Sequence, residues 1–154
     1  MTAANEVSAP EPKPEPVLRE DCHTYTPTAA NVSFARRRAA RLVREWGYPE
    51  RAGDVALVVS ELATNALLHG CLRDRLFRVR VALIGAVLRV EVTDPRGERL
   101  PNPRVATEDE CFGRGLLIID QLADRWGIEP RTVGKTVWCE LGTPAAPPGG
   151  ASAA

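Results

Sequence analysis

The chain has 154 residues with 20 basic and 20 acidic side chains, a formal net charge of zero. That length suits one compact domain with a real hydrophobic core. The charge balance argues against a nucleic-acid binder that works by neutralising phosphates, because such domains are basic on balance.

Residues 1–17 alternate Pro and charge without large apolar groups, so they are expected to form a disordered arm. Residues 143–154, TPAAPPGGASAA, are expected to be a disordered tail for the same reason. The folded domain is then residues 18–142. The N-terminus carries no signal-peptide pattern and no apolar run has spanning length, so a cytoplasmic protein without membrane contact is expected. Four cysteines, Cys22, Cys71, Cys111 and Cys139, stand far apart with no C-x-x-C pair, and buried reduced thiols are the default reading. His69 with Cys71 falls far short of a complete metal-ligand set.

Thr26-Pro27-Thr28 opens the first helical run, with either Thr as N-cap. Val32, Ala35, Ala39, Leu42, Val43 and Trp46 recur at helical spacing, and Gly47 ends the run. Its other face holds Arg36, Arg37, Arg38, Arg41 and Arg44, read as a solvated face that is also capable of docking an acidic partner. A second helix is expected from Ala52 to His69, closed by Gly70, with Val55, Val58, Val59, Leu62, Ala66 and Leu67 inward. Two period-two runs follow, residues 77–83 and 87–92, joined by a tight turn at Ile84-Gly85-Ala86. After a polar loop over residues 94–112, Gly113-Arg114-Gly115 starts a third helix with Leu116, Ile119, Leu122 and Ala123 inward. A last strand pair spans residues 126–129 and 135–141. The order implies an α+β two-layer sandwich, with helices on one face of a mixed, mostly antiparallel sheet.

Three pieces carry chemistry. Glu61, Asn65 and His69 are four apart and share one stripe of the second helix. An Asn oxygen suits a hard cation such as Mg²⁺, and a carboxylate one turn away can orient or deprotonate a nucleophile. Taken alone, the stripe is better read as Glu61 paired with a nearby Arg and Asn65 capping a loop. Asp94, in Val92-Thr93-Asp94-Pro95-Arg96-Gly97, ends a buried strand and can accept from the exocyclic amine of a base, though Asp and Gly commonly end strands in turns. Gly113 and Gly115 open a helix with bare amides suited to phosphate. There is no P-loop lysine pattern.

In this order the pieces resemble a family. E-x-x-x-N on the second helix, D-x-x-G after a strand and G-x-G opening the third helix resemble the N, G1 and G2 boxes of the GHKL ATPases, whose shared architecture is the Bergerat sandwich. ELATNALLHG with FGRGLLIIDQLADRWG and GKTVWCEL looks like the small stand-alone anti-sigma-factor serine/threonine kinases. The resemblance covers about residues 20–142. It implies ATP and Mg²⁺ as cofactors, with Asn65 holding the metal and Glu61 as the catalytic carboxylate. It implies adenine contact at Asp94 and Gly97, and phosphate contact at Gly113, Arg114 and Gly115; His69 has no general role in it. The G1 stretch departs from the pattern: Pro95 and Arg96 stand in the usual first-glycine region, and Pro95 removes an amide.

The implied partners are a sigma factor and an anti-anti-sigma antagonist, with direct nucleic-acid contact not expected and a homodimer possible. The alternative is a nucleotide-sensing module that controls a partner by binding alone. A self-contained two-component histidine kinase is disfavoured, because no phospho-acceptor His region precedes the domain.

Overall fold

The computed structural model describes residues 13–69, 76–94, 116–130 and 134–144. The elements in chain order are β1 (Val17–Tyr25), α1 (Ala29–Glu45), a 3-10 turn (Pro49–Arg51), α2 (Ala52–His69), β2 (Phe77–Ile84) and β3 (Val87–Asp94). A helix over residues 116–122, here α3, precedes β4 (Arg125–Pro130) and β5 (Lys135–Gly142).

The five strands form one sheet in the order β1-β2-β3-β5-β4. All four pairings are antiparallel. The expected α+β sandwich with a mostly antiparallel sheet is what the structure has, and no parallel pairing occurs among the described residues. The physical reason lies in the connections. β2 and β3 join through a tight turn in which Gly85 adopts φ +57°, and β5 returns beside β3 in the opposite direction.

α1 starts where Thr28, extended at φ −129°, accepts a hydrogen bond from the Asn31 amide at 3.2 Å. It ends at Trp46, followed by Gly47 at φ +98°, a left-handed position that favours glycine. α2 has the bounds expected from its periodicity. Its Val55, Val58, Val59 and Leu62 are at most 2 % exposed, and each such side chain contributes about 1.5–3 kcal/mol of burial. They pack with Ala35, Ala39 and Val43 of α1 and with Val81, Leu88, Val90 and Leu141 of the sheet in a single core. Ile119 completes it from α3, with Leu116, Leu122 and Ala123 beside it.

Strand alternation sets the two faces. Along β3 the burial pattern alternates, and Leu88, Val90, Val92 and Asp94 are its buried residues. The intervening residues carry a ladder of charge on the opposite face. Arg80 bonds Glu20 at 2.6 Å and Glu91 at 2.8 Å, while Arg89 reaches Glu91 at 3.3 Å and Glu140 at 3.1 Å. Arg89 also lies 4.4 Å from the centroid of the Trp138 ring, within cation–π range.

β1 is the element that periodicity did not reveal. Val17 to Thr24 are exposed or half-buried and only Tyr25 is buried, so the stretch has no apolar alternation. It is an edge strand held by pairing to β2 and by Arg38 of α1, whose guanidinium meets both oxygens of Asp21 at 2.9 and 2.7 Å. The strand begins at Val17, one residue inside the segment expected to be disordered.

Candidate functional site

β3 delivers Asp94 as its last residue, on the face turned to the helices, and the residue is 3 % exposed. β5 begins opposite it: Lys135 is the Cα partner of Asp94. The C-terminal half of α2 passes over this end of the sheet and places Asn65 there, 7 % exposed. Leu62, Asn65, Ala66, Val92, Asp94, Lys135 and Val137 together line a small recess of about 10 Å³. That volume is roughly the room of one water.

Apolar walls around a few convergent polar groups are the usual make-up of a ligand site. The Asn65 Nδ2 is buried with no hydrogen-bond partner among the described residues. A buried amide left in that state costs about 1–3 kcal/mol, so its retention calls for an explanation outside packing. Glu61, one turn earlier on α2, is half-buried and forms no ion pair among the described residues.

Of the residues singled out in the sequence, the structure brings Asn65 and Asp94 together and keeps Glu61 one helical turn away. His69 is the last residue of α2. Gly97, Gly113, Arg114 and Gly115 lie outside the described residues, as do Cys71 and Cys111. Cys22 is exposed and accepts from Arg78 Nε at 2.6 Å. Cys139 is buried, and burial pushes its thiol up to about 12. Among the described residues no cluster of three His, Cys, Asp or Glu side chains is placed to hold a metal, and no helix is long and apolar enough to cross a membrane.

Sequence reasoning missed Lys135 and Thr136. Lys135 lines the recess, and Thr136, fully buried, shares a 2.9 Å hydroxyl contact with Thr93 beside Asp94. The GKTVW stretch that contains both was noticed, but their closeness to Asp94 follows only from the β3–β5 register.

Residues 25–140 match the family described as the histidine kinase-like ATPase domain. A curated relative, the uncharacterized protein SCO4941 of Streptomyces coelicolor, is 41% identical over 71 residues, covering 38% of this chain and 66% of its own length. Among solved structures, the RsbU and RsbW domains of Rv1364c from Mycobacterium tuberculosis superpose with a TM-score of 0.60 at 20% identity, over 80% of this chain and 32% of that one. At that identity the likeness is one of fold. The chain thus spans just under two thirds of the curated relative and about a third of the mycobacterial chain.

Proposed function

The chain belongs to the histidine kinase-like ATPase domain family, and from that premise we propose that it binds Mg-ATP and acts as an anti-sigma-factor-type serine/threonine protein kinase on an anti-anti-sigma partner. The observation that carries the nucleotide part is the buried, unpartnered Asn65 amide beside Asp94 in one recess. An ATP-binding domain gives both groups a use.

In this reading Asp94 accepts from the exocyclic amine of the base, and Val92, Val137, Leu62 and Ala66 exclude water from that contact. The residues fit a magnesium ion of the kind that keeps most of its waters. Asn65 offers one hard oxygen, and its unpartnered N–H is suited to a phosphate oxygen. When bound, the ion would neutralise charge on the phosphates. Glu61 is the base. It takes the proton of the partner's serine hydroxyl as that oxygen bonds to the γ-phosphorus, while the bond from the γ-phosphorus to the β–γ bridging oxygen breaks and ADP leaves. Gly97, Gly113, Arg114 and Gly115 are assigned to the base turn and the phosphates through the resemblance of their motifs. Protein partners of the sigma and anti-anti-sigma classes, and a homodimer, belong to the same proposal.

The test is transfer of labelled γ-phosphate from ATP to a serine-bearing anti-anti-sigma protein. Labelled partner with wild type and none with Glu61→Gln, at equal ATP affinity, supports the kinase. The altered G1 stretch favours the second reading, a sensing module: ATP would then tighten or loosen partner binding equally in wild type and Glu61→Gln, with no phosphoprotein formed.

A further inference from the structure

Asp94 is 3% exposed at the end of β3, and Lys135, its Cα partner, opens β5. Opposed residues of an antiparallel pair project to the same side of the sheet with Cβ atoms about 4.5–5.5 Å apart, which puts an ammonium within reach of a carboxylate. Both line the recess with Leu62, Val92 and Val137, and neither is without a partner in the structure.

A carboxylate buried this deeply keeps its charge only with a compensating cation or several donors. Lys135 is the cation that the sheet register sets opposite it. The recess has about 10 Å³ of room, that of one water. A purine is far larger, so a base reaching Asp94 must displace what now fills the space between the walls. The ammonium is the group able to leave. It ends a flexible four-carbon stem, and Lys135 is half-buried rather than enclosed.

We propose that Asp94 and Lys135 pair with each other in the nucleotide-free protein, and that this pair is an autoinhibitory contact: Lys135 has to release Asp94 before the exocyclic amine of a base takes its place. This rests on the nucleotide-binding reading above. Lys135 then supports the empty fold and opposes nucleotide binding. Only molecules with the carboxylate released are competent, and the apparent affinity is reduced by their fraction. A released state populated at about 1–10% reduces it about ten- to a hundredfold.

The experiment is calorimetric titration of the full chain with ATP and Mg²⁺, with thermal melting of each nucleotide-free protein, for wild type, Lys135→Met, Lys135→Gln and Lys135→Arg. Lys135→Met should bind ATP about ten- to a hundredfold more tightly than wild type. Its nucleotide-free form should melt at a lower temperature, because Asp94 is left without its cation. Lys135→Gln keeps a donor without the charge; it should also tighten ATP binding, and it carries the test if Lys135→Met does not fold. Lys135→Arg restores a cation and should bind ATP no more tightly than wild type. Unchanged affinity in Lys135→Met and Lys135→Gln, with only the melting temperature lowered, marks a structural lysine and overturns the proposal. Weaker affinity in both means that Lys135 holds the nucleotide, which overturns it as well. Binding by neither wild type nor any Lys135 variant would instead sink the nucleotide reading and this inference with it.

Discussion

Arg38 of α1 clamps Asp21 of β1 through two bonds, Nε to Oδ2 at 2.9 Å and Nη2 to Oδ1 at 2.7 Å. The two side chains are 28% and 19% exposed, so the pair is sheltered without being dry. It ties the first helix to an edge strand that buries little else. The Arg38 hydrogen bond holds the Asp21 carboxyl below its ordinary value of 3.8 against the opposing effect of burial. A depressed carboxylate stabilises the fold fully above its unfolded value and loses that contribution as pH falls through the folded one. Arg38→Ala should cost about 1–3 kcal/mol at neutral pH. The difference from wild type should shrink below pH 3.8, as measured by urea denaturation across pH.

The charge ladder on the outer sheet face makes a second prediction. Arg89 lies between Glu91 and Glu140 and over the Trp138 ring. Arg89→Met keeps the stem but leaves the two carboxylates, 12% and 19% exposed, without their shared cation. The expected loss is about 1–3 kcal/mol. It should diminish in high salt, because part of it is repulsion between like charges that ions screen. Urea midpoints at low and high salt provide the check.

Thiol chemistry should separate two cysteines cleanly. Only the thiolate reacts appreciably, and Cys139 is both buried and pushed up to about 12. Cys22 is exposed. Brief alkylation of the folded protein at neutral pH, followed by peptide mapping, should label Cys22 and spare Cys139 until denaturant is added.

Asn65 sets function against stability. Its amide is buried with Nδ2 unpartnered among the described residues, so a leucine of similar volume should relieve a desolvation penalty. Asn65→Leu is expected to unfold at a temperature equal to or above that of wild type without nucleotide, and to lose the further rise that Mg-ATP gives wild type. A large drop in the nucleotide-free melting temperature would show that Asn65 serves packing instead.

The helices were legible in the sequence because their apolar residues recur at 3.6. The β2–β3 hairpin was legible because residues 77–83 and 87–92 alternate about a turn glycine. β1 was hidden by the same logic, since an exposed edge strand buries one residue and leaves no alternation to read. Asn65 and Asp94 could be picked out by residue type and motif, but not that they share a recess. That depends on which strand lies beside β3, and β5 is neither its predecessor nor its successor in the chain. The place of Lys135 beside Asp94 was invisible for this reason: it follows from a register between residues separated by the whole stretch from Asp94 to Lys135.

The central claim is a nucleotide site built on Asn65 and Asp94. Calorimetric titration of the protein with ATP, in Mg²⁺ and in EDTA, for wild type and Asn65→Ala, tests it most directly. Saturable binding to wild type that weakens sharply on removing either Mg²⁺ or the Asn65 amide is the expected result. Absence of binding to the wild type, or binding indifferent to both, would contradict it.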